Sequence, residues 1–245
     1  MIRPILVSIL CIVLQFCHTA AEKPSESSNT SSNSSQPSPQ STPVVCIDPG
    51  HPSETSAGNT VQNGTTEVHI VWLVALKLRS LLEAKGMRVV MTKSSEHQLV
   101  RNKDRAITAN EADAAVMVRL HCDASTDSGF ALYAPDRQGT VHGVTGPSRD
   151  VIERSQAAAK TIHSGMIEVL KGTLKDGGMR GDSKTYIGSR QGALTGSIYS
   201  KVPVVTIEMV VLSNKTNAAF IKSEAGQQKM AEAIASGIEK LLLKN

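Results

Sequence analysis

From Val44 onward the chain alternates between two hydrophobic periods, and that alternation predicts a fold class before any residue is asked about chemistry. Val44-Val45-Cys46-Ile47 is a short continuous apolar run, the pattern of a strand buried on both faces. Residues 66–85 follow a helical period, with Val71, Val74, Leu78, Leu81 and Leu82 recurring on one face and Gly86 supplying a stop. Strands are predicted at 88–91, 115–120 and 130–133, and a further buried strand at 204–209, announced by Pro203. Helices are predicted at 102–112, 150–170 and 227–243. Strands alternating with helices imply an α/β fold, a mostly parallel sheet with helices on both faces. In such sheets functional residues gather at the carboxyl ends of the strands.

Ahead of that unit the pattern differs. Residues 22–43 are Ser, Thr, Pro, Gln and Asn with almost no apolar side chain, so they are expected to form a disordered linker. Residues 1–21 read as a signal peptide. Arg3 gives a positive start, the apolar run from Ile5 to Phe16 is too short to span a bilayer, and Thr19, Ala20 and Ala21 suit cleavage. Export to the periplasm or the medium follows as an expectation, with no transmembrane segment after cleavage. Lipid anchoring at Cys17 is a minor alternative, because Phe16 suits it badly.

Composition narrows the picture little. The 245 residues suffice for one domain and a tail, 40% are apolar and only 3% aromatic, so the core must rest on aliphatic side chains. Twenty-six basic and 22 acidic residues leave a formal charge of +4 without a Lys/Arg cluster, so no nucleic-acid partner is expected. A monomer is expected. After signal cleavage Cys46 and Cys122 remain. They lack the spacing of a thiolate metal site and read as buried small hydrophobes, with a disulfide between them left open.

Chemistry enters at the predicted strand ends. Asp48-Pro49-Gly50-His51 follows the first strand, His121-Cys122-Asp123 ends the third, Glu208 ends the strand begun by Val204, and Glu67 opens the first helix. Two imidazoles and a carboxylate form a donor set suited to catalytic zinc, with a coordination position left for water. A further carboxylate is then needed to move the water proton. The candidates are His51, Glu67 and His121 as ligands and Glu208 as base. Singly they are weak: either His has a structural reading, and Glu67 is a first-turn carboxylate favoured by the helix dipole. A carboxylate closing a buried strand, as Glu208 does, demands more of a reason.

The same residues carry a family resemblance. Ile47-Asp48-Pro49-Gly50-His51, Glu67 at a helix start, Arg105 through Asn110, Leu120-His121-Cys122-Asp123-Ala124, and Pro203 to Glu208 followed by Ser213-Asn214 stand in the order found in zinc-dependent N-acetylmuramoyl-L-alanine amidases of the Amidase_3 type. The chain resembles them from Val44 to its end. The resemblance implies a single α/β domain over 44–245 with a sheet of about six strands, zinc held by His51, Glu67 and His121, catalytic Glu208, and hydrolysis of the amide between N-acetylmuramic acid and L-alanine in peptidoglycan or muropeptides. Asp48 is expected to orient a ligand imidazole. Rival readings are a zinc peptidase trimming stem peptides and a weakly catalytic muropeptide-binding module.

Several positions depart from the family pattern. Pro52-Ser53 replaces Gly-Gly, Arg119 replaces Ser, Asp123 replaces Asn, and Val210-Val211 replaces Gly-Phe. No spare helical segment for a plug is evident between Asp123 and Pro203, so an open site is expected. The run Gly177-Gly178-Met179-Arg180-Gly181 lacks the end of a phosphate loop and is expected to wall the substrate groove. His69, His97, His142, His163 and Trp72 are expected to be structural or superficial.

Overall fold

The computed structural model describes residues 42–243. The expected signal peptide, all but the last two residues of the expected linker, and positions 244 and 245 lie outside the described residues. The chain order is β1 (Val44–Pro49), α1 (Glu67–Ala84), β2 (Arg88–Met91), α2 (Asn102–Glu111), β3 (Val116–Asp123), β4 (Phe130–Ala134), β5 (Gly139–Val141), β6 (Val144–Gly146), α3 (Arg149–Leu170), β7 (Asp176–Gly181), α4 (Tyr186–Gln191), α5 (Thr195–Ile198), β8 (Val204–Val211), α6 (Lys215–Lys222) and α7 (Glu224–Leu242). Six strands form one sheet in the order β2-β1-β3-β8-β4-β7, and β5 and β6 form a separate hairpin. Strands β2, β1, β3 and β8 are mutually parallel, whereas β4 runs antiparallel to β8 and parallel to β7. The expected six-stranded, mostly parallel sheet is present, with an edge pair of reversed direction.

Alternation along each strand decides what lies on each face. Val45, Ile47, Val118, Leu120, Leu132, Val205 and Ile207 point into the larger core, packed against Ile70, Val74 and Leu78 of α1, Ile162 and Met166 of α3, and Met230 and Ile234 of α7. The other face carries Val44 and Cys46 of β1, Met117 of β3 and Val204 of β8 against Ala109 of α2. Further along that second face the side chains turn polar at matched positions: Asp48 on β1, Arg119 and His121 on β3, Thr206 and Glu208 on β8. The register sets Asp48 beside Arg119, Arg119 beside Thr206, and His121 beside Glu208. One face is therefore apolar at its amino edge and ionisable at its carboxyl edge.

This register also settles the cysteines. Cys46 packs in the second face's cluster and Cys122 in the first, and Cys46 stands opposite Met117, five residues before Cys122. Five residues of strand span roughly 16 Å. Both are buried free thiols, held far beyond disulfide reach.

The helix starts follow their caps. Thr66 accepts from the His69 amide ahead of α1, Ser148 from Val151 ahead of α3, and Asn214 from Thr216 and Asn217 ahead of α6. Gly86, at φ 78°, takes the left-handed turn that lets the chain leave α1 for β2. The stretch from Asp123 to Pro203, expected to hold no spare helix, contains the short α4 and α5. Among the described residues no helix is long and apolar enough to cross a membrane.

Candidate metal centre and active site

His51 hangs from the turn after β1, Glu67 is the first residue of α1, and His121 lies near the end of β3. Glu67 sits between the two imidazoles: its Oε2 is 3.2 Å from His51 Nε2 and its Oε1 is 2.9 Å from His121 Nδ1. The rings meet nearly edge-on, with centroids 5.1 Å apart. One donor atom from each of the three residues falls within 4.8 Å of the others. Two ligands on a tetrahedral zinc with ~2.1 Å bonds stand ~3.4 Å apart. The cluster has the donor types and the spacing for a metal ion.

Both imidazoles need room that only glycine leaves. A Cβ on Gly50 would lie 2.4 Å from His121 Cε1, and one on Gly58 would lie 2.6 Å from His51 Cβ. The far side of His51 is fixed as well, since its Nδ1 faces the Ser56 carbonyl at 3.1 Å, leaving Nε2 for the site. The turn carrying His51 is clamped from beneath. Arg105 donates to the Pro49 and Pro52 carbonyls at 2.7 and 2.8 Å, and Lys93 donates to the His51 carbonyl and, at 2.9 Å, to that of Glu96. Burial draws the Lys93 ammonium down to about 8, with Arg105 adding to the effect.

Asp48 does not orient an imidazole, contrary to expectation. It is fully buried and accepts from Arg105 Nη1 at 2.5 Å, Arg119 Nε at 2.9 Å and Thr92 Oγ1 at 2.5 Å. Burial would raise its carboxyl, but the two guanidinium groups outweigh that and hold it well below the usual carboxylate range. Asp48 thus acts on the site through Arg105, which grips the His51 turn.

The electrostatics divide the carboxylates by role. Burial pushes Glu67 up, yet the hydrogen bonds of His121 and His51 hold it well below the ordinary range. His51 would be lowered by burial, but the Glu67 carboxylate lifts it above its ordinary value. His121 is lowered, by burial. Glu208 is the opposite of Glu67: burial, with the Glu67 and Asp123 charges adding, drives it well above the carboxylate range. Its Oε2 is buried without a hydrogen-bond partner among the described residues. Such an atom beside a metal cluster is placed to take a proton or a polar ligand atom.

His51, His121 and Glu208 line one cleft of about 270 Å³ together with Arg119, Tyr133, Tyr186 and Thr206. Helix α4 and the start of α5 wall this cleft. A second cleft of about 170 Å³ also reaches Glu208, lined by Asp123, Ala131, Lys175, Gly177 and Arg180. The glycine-rich run expected to wall a groove does line this cleft, as strand β7. Glu208 thus stands where two clefts meet. Arg119, Thr206, Lys93 and Tyr186 were not singled out for roles by sequence reasoning. Arg119 gave a signal as a departure from the family pattern, and the others became visible through strand register and loop packing. Three further histidines pair away from the site: His69 faces Glu96 at 3.2 Å, His97 faces the same carboxylate at 3.5 Å and His163 faces Asp176 at 2.8 Å.

Comparison with known proteins bears on what this arrangement does. A family model described as N-acetylmuramoyl-L-alanine amidase, Amidase_3, matches residues 45–240. The protein YqiI of Bacillus subtilis is 29% identical over 198 residues, which cover 80% of this chain and 83% of that protein. An N-acetylmuramoyl-L-alanine amidase of Mycobacterium tuberculosis is 24% identical over 219 residues, covering 80% of this chain and 84% of the relative. Among solved structures, the catalytic domain of CwlV, an N-acetylmuramoyl-L-alanine amidase from Bacillus (Paenibacillus) polymyxa, superposes with a TM-score of 0.66 at 25% identity, covering 83% of this chain and 99% of that domain.

Proposed function

We propose, from the premise that this chain belongs to the Amidase_3 family of N-acetylmuramoyl-L-alanine amidases, that it hydrolyses the amide joining N-acetylmuramic acid to L-alanine in peptidoglycan. The observation that carries the reading is the juxtaposition in one cleft of His51 and His121, bridged by Glu67 behind them, with a buried Glu208 whose Oε2 lacks a partner among the described residues.

Imidazole and carboxylate donors on a water-accessible cleft suit zinc, with His51, Glu67 and His121 as its ligands. A zinc ion bound there would supply Lewis acidity, polarising the scissile carbonyl and acidifying the attacking water. The chain's own residues do the rest. Ser56 fixes which nitrogen of His51 faces the site. Glu208 accepts the proton of the attacking water as its oxygen bonds to the lactyl carbonyl carbon. It returns that proton to the nitrogen of the departing alanine as the C–N bond breaks. Tyr133, Ile187 and Leu194 supply apolar walls that hold the substrate and limit bulk water. The two clefts meeting at Glu208 suit a substrate that runs away from the reacting bond in both directions, sugar one way and peptide the other.

Mass-spectrometric product analysis on purified wall fragments, with and without chelator, tests the reaction. Intact stem peptides freed only in the metal-loaded sample are the expected result, and shortened peptides still attached to sugar would overturn it. In the same assay Glu208→Gln should retain zinc and lower kcat by about 10²–10⁴, and full activity would remove Glu208 from the mechanism. Export is part of the same proposal. It is supported by the charged start, apolar run and small residues of positions 1–21 and by a substrate that lies outside the cytoplasmic membrane.

A further inference from the structure

Arg119 and Thr206 occupy the layer directly beneath the reacting groups. They stand opposite each other on β3 and β8, two residues before the His121–Glu208 pair, and all four line the same cleft. Two residues of strand place them roughly 6.6 Å from the chemistry.

Their hydrogen-bonding capacity is unfilled. The Arg119 side chain is 4% exposed. Nε donates to Asp48 at 2.9 Å and Nη2 to Asn102 Oδ1 at 2.7 Å, while Nη1 has no partner among the described residues. Thr206 Oγ1 is buried and likewise without one. Native interiors leave few buried atoms such as Thr206 Oγ1 unpaired. The guanidinium is also held in place. A Cβ on Gly196 of α5 would come within 2.9 Å of Arg119 Cζ and Nη1, so glycine at this position leaves the room the guanidinium occupies.

Its direct ion pair is shared as well. Asp48 is one carboxylate shared by two guanidinium groups, Arg105 and Arg119. Asp182, a buried carboxyl that feels the Arg119 charge, is pushed upward by burial toward its neutral form. Among the residues lining the cleft, Arg119 is the permanent cation.

Resting on the amidase reading, we propose that Arg119 and Thr206 form a subsite for a carboxylate on the peptide side of the substrate. The natural candidate is the one borne by the residue after the alanine. From the scissile carbon across one residue to a carboxyl on the next α-carbon is roughly 7 Å in extended chain, the depth at which the pair lies. Arg119 Nη1 and the Thr206 hydroxyl donate to this carboxylate, and Arg119 supplies the opposite charge. The pair selects substrates without taking part in bond cleavage.

Two synthetic muramoyl-alanyl peptides test this, one with a free carboxylate on the residue after alanine and one with that group as its carboxamide. The wild type should prefer the free acid by at least about tenfold in kcat/KM, mainly through KM. Arg119→Met should collapse the ratio toward one, and Arg119→Lys should restore part of it. Thr206→Val, which leaves the Asp48 pairs intact and so guards against a folding defect, should lower the ratio several-fold. Equal cleavage of both peptides by the wild type, or a preference that survives in Arg119→Met and Thr206→Val, would overturn the subsite. Cleavage of neither would instead count against the amidase reading. Calorimetric titration of both peptides into Glu208→Gln then decides the subsite independently, a tenfold difference in Kd supporting it and equal affinity refuting it.

Discussion

Asp48 shows how far one residue's role depends on its neighbours across the sheet. Its position in a sequence motif suggested an imidazole partner, and the register gives it two arginines instead. Asp48→Asn would leave two buried guanidinium groups facing a neutral amide, at a cost of about 3–5 kcal/mol, read as a lower denaturant midpoint at unchanged slope. Its carboxyl is held below its unfolded value, near ~3.9. The stability it contributes is therefore fully present above that value and is lost as pH falls toward the folded one. Asp48→Asn should accordingly flatten the acid limb of the stability curve, and an unchanged limb would contradict the assignment. Gly50→Ala is a sharper probe of the metal cluster. Its new Cβ would drive the His121 ring aside, so zinc affinity in a competition titration should fall at least about tenfold, while the unfolding midpoint of the metal-free protein moves less. His51, His121 and Glu208 were legible as candidates because an ionisable residue just past or at the end of an apolar run is conspicuous, and Glu67 because it opens the first helix. Arg119 looked like a mere departure, since its meaning lies in Thr206, 87 positions later in the chain.

Elements were legible where a continuous period was long enough to carry them. The apolar runs of β1, β3 and β8 and the helical stripes of α1, α3 and α7 are read directly from the chain. Strand β7, Asp-Gly-Gly-Met-Arg-Gly, has no β-branched residue and no alternation. It exists because the backbone of β4 pairs with it at the sheet edge. Helices α4 and α5 are too short to nucleate alone and take their shape from packing. For α6 a signal was present in Asn214, which caps it, but the eight residues that follow are too few for a helical period to stand out. Helices α3 and α7 approach so closely that a Cβ on Gly165 would lie 2.5 Å from Gly237 Cα. Gly165→Ala should therefore prise the two helices apart and cost about 1–3 kcal/mol. Because this contact lies on the sheet face opposite the cleft, zinc affinity should be unchanged; a loss of affinity matching the loss of stability would show that the faces are coupled.

At the scale of the whole molecule the metal cluster sits on the rim of a sheet whose two cores are complete without it. Chelation should leave far-UV circular dichroism and cooperative unfolding intact while abolishing cleavage. Zinc returned at 100 times its Kd should raise stability by about 2.7 kcal/mol, seen as a higher Tm. Collapse of the fold on chelation would refute this view of the site as an addition to a finished scaffold. The layering of the second sheet face has a consequence for descent. His121 and Glu208 occupy one rung of the ladder, and Arg119 and Thr206 the rung below. Thr206, whose hydroxyl has no partner among the described residues, can be exchanged over generations without disturbing the rung above, whereas Arg119 is tied to Asp48 and through it to the His51 turn. On the proposed reading, a lineage can thus follow changes in its target polymer through position 206 while inheriting the residues of the upper rung unaltered.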